Sequence, residues 1–154
     1  NAGYAFYSAL QKAGADGILI VDLPLEESEK HVAACREHNI APIQIISAVT
    51  PEARMSEIAK QGDGFLYYAC RKGTTGMQAG LPANYTSQVA LIKKHSTLPV
   101  ATGFGISDKT MAADVLKASD GFVVGSYFVD AINKGATLEK ITELANNIDP
   151  RSNV

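Results

Sequence analysis

Two short stretches near the carboxyl end hold the residues most suited to chemistry. One is "GFGIS" (103–107), in which Gly103 and Gly105 flank Phe104. The other closes "ASDGFVVGS" (118–126) with Gly125 and Ser126. Small residues let backbone N–H groups approach an anion, and a helix opening at such a turn adds the positive end of its dipole. Two such turns on neighbouring strands would suit a phosphate. Between them and the middle of the chain lies "RKGTTGMQAGLP" (71–82), with three Gly and two Thr. A connection of that length and composition reads as a binding loop or lid.

These turns must be held by something, and the same cassette recurs ahead of them. "GADGILIV" (14–21), "QGDGFLYYA" (61–69) and "ASDGFVVGS" each place Asp-Gly before an apolar run. The runs are too short for helices and rich in Ile, Val, Phe and Tyr, which predicts buried strands. "APIQIIS" (41–47) and "LPVATG" (98–103) add two more, with Pro at the start where a strand tolerates it. Helical patterns lie between them, at 2–13, 26–38, 51–61, 84–95, 108–118, just after Ser126, and at 137–147. Thr50 and Ser107 are expected to cap the third and fifth helices.

Strict alternation predicts an α/β fold: five βα units with a parallel sheet and right-handed crossovers. The Asp-Gly cassette is then the αβ turn. Two architectures accommodate five units, a doubly wound open sheet and part of an eight-stranded (β/α)8 TIM barrel. In either, ligands gather at the carboxyl ends of the strands. Glycine turns after the last two strands, followed by a short extra helix, are the usual phosphate site of the barrel. Residues 1–154 are read as one domain, strands four to eight of such a barrel. A barrel of ~250 residues would place about a hundred more ahead of Asn1.

Composition narrows the function classes. A net charge of −2 and a pI near 5.9 give no footprint for nucleic acid. No apolar run is long enough to span a membrane. Cys35 and Cys70 lack C-x-x-C spacing, and with no signal peptide to read, a cytoplasmic location is expected. His31, His38 and His95 read as surface residues, and no spacing suggests a metal site.

Motifs along nearly the whole chain resemble the tryptophan synthase alpha chain family. "GADGILIVDLPLEES" resembles its fourth strand and the segment after it, and "HNIAPIQIIS" its fifth. "GFLYYACRKGTTG" is similar to the sixth strand and mobile loop, while "GFGIS" and "DGFVVGS" resemble the last two phosphate turns. The resemblance implies reverse-aldol cleavage of indole-3-glycerol phosphate to indole and glyceraldehyde 3-phosphate. It implies an alpha2-beta2 complex with a beta chain, and no cofactor here, since PLP belongs to that partner. Gly76, Gly105, Gly125 and Ser126 would cradle the phosphate, with Phe104 and Ile106 beside it. Leu19, Ile45 and Tyr67 would line the indole pocket, with Asp22 at its rim. Thr75 would help hold a catalytic Asp, Arg71 would anchor the loop, and Leu23-Pro24 would lie towards the beta chain.

The family's two catalytic carboxylates, a Glu on its second strand and an Asp after it, precede the stretch represented here, so no catalytic residue is assigned. "SAVTPEA" departs from the family's proline-rich form, and the segment after Gly76 is short. Two other readings remain: a different phosphate-sugar enzyme on the same barrel, or a non-catalytic βα module that binds anions or a partner. Both end strands are also expected to invite self-association.

Overall fold

The structure, a computed structural model, describes residues 2–70, 80–103 and 105–152. Among the described residues there are five strands: β1 (Gly17–Leu19), β2 (Ala41–Ser47), β3 (Leu66–Ala69), β4 (Val100–Gly103) and β5 (Gly121–Val123). Seven helices accompany them: α1 (Ala2–Lys12), α2 (Glu29–Glu37), α3 (Glu52–Gln61), α4 (Tyr85–His95), α5 (Lys109–Leu116), α6 (Ser126–Asn133) and α7 (Leu138–Ile148). All pairings are parallel and the spatial order is β1-β2-β3-β4-β5.

That order decides between the two architectures. A doubly wound sheet reverses direction at a switch point, whereas this sheet advances one strand at a time. The helices also share one face. In both β3 and β4, buried and half-buried residues alternate. Leu66, Tyr68 and Val100 join Met55, Val89, Ile92, Ala112 and Val115 from the helices in one buried cluster. Tyr67, Ala69, Ala101 and Gly103 face the other way and stay half-buried. One helix-covered face, one open face and sequential order make a partial (β/α)8 barrel. β1 and β5 are its edges.

The Asp-Gly cassette does what an αβ turn requires, and the backbone of each Asp makes the first bond to a neighbouring strand. The Asp16 carbonyl accepts the Ala41 amide (2.8 Å), the Asp63 amide donates to the Pro42 carbonyl (3.0 Å), and the Asp120 amide donates to the Val100 carbonyl (2.9 Å). The Asp120 carboxylate goes further, accepting the Val100 amide at 2.8 Å and the Lys93 ammonium at 2.9 Å. Burial works against its charge, but those two donors outweigh it and hold the carboxyl below its usual range. Gly14 and Gly64 lie at φ 79° and 72°, where a side chain would be strained.

Local caps differ from expectation. The Thr50 hydroxyl accepts the Ser47 amide (2.9 Å) within its own turn, and α3 begins after Pro51 without a side-chain cap. α5 is capped by Asp108, whose carboxylate accepts the Met111 amide at 2.8 Å, while Ser107 points to the Met111 sulfur. The second helical segment is split: Leu25–Glu27 is a 3-10 turn, and the Ser28 hydroxyl bonds back to the Leu25 carbonyl (2.7 Å) before α2 starts.

His31 is not a surface residue. It is only 8% exposed, between α1 and α2, with the Tyr7 hydroxyl 2.7 Å from Nδ1, Cys35 Sγ 3.6 Å from Nε2, and the Tyr7 ring lying also beside His38. Burial lowers its pKa. With Nδ1 bare the ring accepts from Tyr7, a bond that a protonated ring cannot make. The unfolded chain therefore takes up the proton first as pH falls below about 6.5, so stability is lost from there down to the depressed folded value. The thermal midpoint is expected to fall on acidification through that window and to fall less in His31→Gln. Equal pH dependence in the two proteins would contradict it.

Candidate phosphate-binding site

Register places the two glycine turns side by side. Gly103 pairs with Val123, so Gly105 and Gly125 each follow two residues beyond a matched pair of strand ends. Gly105 has φ 20° and is exposed. Ile106, just after it, is 2% exposed and sunk in the core cluster. Its side chain thus anchors the turn, leaving the backbone of the glycine to face outward.

The two helices that follow are not equivalent. α5 already has an anion at its start, the Asp108 carboxylate. α6 starts from Gly125 with no side-chain cap and no acid in its first turn. The first N–H groups of a helix have no partner within it. The α6 amides at Ser126 and the residues after it are therefore the donors and the dipole end best placed to meet an anion. Of the two helix N-termini suggested by the sequence, only the second is left without a side-chain cap or an acid of its own.

The open face of the sheet forms the adjoining wall. Ile45, Tyr67, Ala101 and Gly121 lie in one row across β2 to β5, and Ser47, Ala69, Gly103 and Val123 in the next. Leu19 pairs with Ile43, on the same side. Side chains shrink towards β4 and β5, which leaves room for Tyr67. Its ring lies across Gly103: a Cβ there would stand 1.8 Å from Oη and 2.3 Å from Cζ. Burial raises the Tyr67 pKa, so the phenol stays a neutral donor. Gly103 was missing from the site expected on sequence grounds. The only hint was that it precedes Phe104 in a glycine pair.

Asp22 lies exposed in the turn after β1. Arg71, Thr75, Gly76 and Phe104 lie outside the described residues. A cleft of about 360 Å³ opens beside β2, lined by Ile20, Leu23, Ile45, Val49 and Arg54 among others. It reaches Ile45 but neither Tyr67 nor the glycine turns, so it is not the anion site. Among the described residues, no three His, Cys, Asp or Glu side chains group as metal ligands, and no helix is long and apolar enough to cross a membrane.

Comparison with known proteins follows the same geometry. The profile of the tryptophan synthase alpha chain family matches residues 2–152. The tryptophan synthase alpha chain of Coxiella burnetii (strain CbuK_Q154) is 46% identical over 149 residues, covering 97% of this chain and 58% of its own length. The Campylobacter jejuni alpha subunit superposes with a TM-score of 0.83 at 28% identity, over 95% of this chain and 58% of that one. A chain of the tryptophan synthase complex from Pyrococcus furiosus gives 0.79 at 25% identity, over 95% and 59%. The chain thus spans somewhat over half the length of the relatives it matches.

Proposed function

Because the chain belongs to the tryptophan synthase alpha chain family, we propose that it supplies the phosphate cradle and indole-facing wall for cleavage of indole-3-glycerol phosphate. The observation that carries this reading is the pairing of Gly103 with Val123, which sets the Gly105 turn beside the uncapped start of α6. Amides of Gly105, Gly125 and Ser126 hold the phosphate through charge-assisted hydrogen bonds. Leu19, Ile45 and Tyr67 receive the indole ring, and Asp22 stands at the rim.

Cleavage to indole and glyceraldehyde 3-phosphate needs two further groups. An acid must protonate indole C3, and a base must take the proton from the glycerol hydroxyl as the carbon–carbon bond breaks. Each positioned acid or base contributes ~100–10,000-fold. Among the described residues no carboxylate is placed for either task, so the 154-residue polypeptide is expected to bind the ester without releasing indole. A beta chain as partner is supported by the Pyrococcus furiosus relative, which comes from a tryptophan synthase complex. Leu23 and Pro24 at the strand-end rim are the segment proposed to face it.

Calorimetric titration with indole-propanol phosphate and with a ribulosyl phosphate tests the reading. The indole ester is expected to bind more tightly by about tenfold, a difference of ~1.4 kcal/mol. Preference for the ribulosyl ester would favour another phosphate-sugar barrel, and indole release by the pure polypeptide would refute the division of labour.

A further inference from the structure

Three hydroxyl groups meet on the buried, helix-covered side of β4. Tyr85 is the first residue of α4, Thr102 is the penultimate residue of β4, and Ser119 closes the turn after α5. They are 2%, 0% and 5% exposed. Tyr85 Oη is 2.6 Å from Ser119 Oγ and 3.0 Å from Thr102 Oγ1, and the latter two are 2.6 Å apart. Tyr85 Oη also lies 3.2 Å from the Val115 carbonyl.

Four contacts share three protons, so one contact has none. The Val115 carbonyl already accepts the amides of Ala118 (3.2 Å) and Ser119 (3.0 Å). It needs the phenol proton least. The favoured arrangement is a closed ring in which Tyr85 donates to Ser119, Ser119 to Thr102 and Thr102 to Tyr85. Each hydroxyl then donates once and accepts once, as burial demands. The Tyr85 ring stacks on Tyr68 at 6.3 Å, which fixes its direction from the other side.

Thr102 is bonded directly to Gly103, where the candidate site begins. We infer that Tyr85 is a positioning residue for the anion site, holding the carboxyl end of β4 through Thr102 so that the Gly105 turn stays level with the start of α6. Its ligand side rests on the reading given under Proposed function. Without the ring, Thr102 is held by its strand pairings alone, and β4 ends one residue later.

Three variants test this in the full 154-residue chain: Tyr85→Phe, Thr102→Val and Thr102→Ser. Tyr7→Phe serves as control, because it removes a tyrosine hydroxyl bonded to His31, at the α1–α2 contact. The readouts are inorganic phosphate affinity, amide exchange at Gly103 without ligand, and the thermal midpoint. Tyr85→Phe and Thr102→Val are expected to weaken phosphate and to speed Gly103 exchange by about tenfold each, the effect of one buried hydrogen bond. Thr102→Ser keeps the hydroxyl and restores both, and Tyr7→Phe changes neither. If Tyr85→Phe lowers the thermal midpoint as Tyr7→Phe does but leaves Gly103 exchange unchanged, the ring is only part of the core and the inference fails. If exchange responds while the parent chain binds no phosphate, the positioning stands and the proposed function falls.

Discussion

Replacing Ser126 with Asp is expected to abolish phosphate-ester binding while leaving the fold as stable as before or slightly more so. Ser126 is the first residue of α6, and Gly125 before it provides no side-chain cap. A carboxylate in that turn gains ~0.3–1 kcal/mol from the helix dipole. The same carboxylate would compete for the amides that the ester needs and repel its charge. Near a protein surface two like unit charges at 4 Å cost about 4 kcal/mol, so at least a hundredfold loss of affinity is expected. Calorimetry with glycerol 3-phosphate and a thermal melt read the two effects separately. Retained affinity would show that α6 does not face the ligand.

Gly103→Ala is expected to damage both stability and binding, for a different reason. The added Cβ would fall 1.8 Å from Tyr67 Oη and 3.0 Å from Cε1, so the ring must leave its place. Such overpacking costs ~1–3 kcal/mol, and the thermal midpoint of a chain this size falls by about 2–4 °C per kcal/mol. The displaced ring has the open face of the sheet to move into, where the indole group is proposed to sit. Combining Gly103→Ala with Tyr67→Leu removes the obstacle, so the double variant is expected to be more stable than Gly103→Ala alone. Residues in contact couple in this non-additive way. Strictly additive losses would show that the two side chains do not share that space.

Sequence patterns reveal the frame of this molecule more readily than its contacts. The recurring Asp-Gly cassette marks three strands because the turn needs both a tight bend and an early hydrogen-bonding group. Pro42 and Pro99 mark the other two because strands admit Pro near their starts. The same periodicity cannot say which of two adjacent polar residues caps a helix. Ser107 and Asp108 both qualify, and geometry alone selects Asp108. Nor does it reveal partners far apart in the chain. His31 looks like any polar residue on a helix until Tyr7, 24 residues earlier, closes over it. The Tyr85–Thr102–Ser119 ring joins three residues that in isolation read as a helix start, a strand interior and a turn. For the candidate site, Gly105, Gly125 and Ser126 can be proposed from sequence because backbone access requires small residues. Gly103 is not, since its reason is the Tyr67 ring on a neighbouring strand.

The central claim is that the Gly105 turn and the start of α6 act on one anion. Amide resonances followed while inorganic phosphate is titrated into isotope-labelled chain test it most directly. Gly105, Gly125 and Ser126 are expected to move together along one saturable curve, with Gly14, Gly64 and Gly135 unmoved. A titration in which those three stay still, or in which every amide drifts alike with ionic strength, would contradict it.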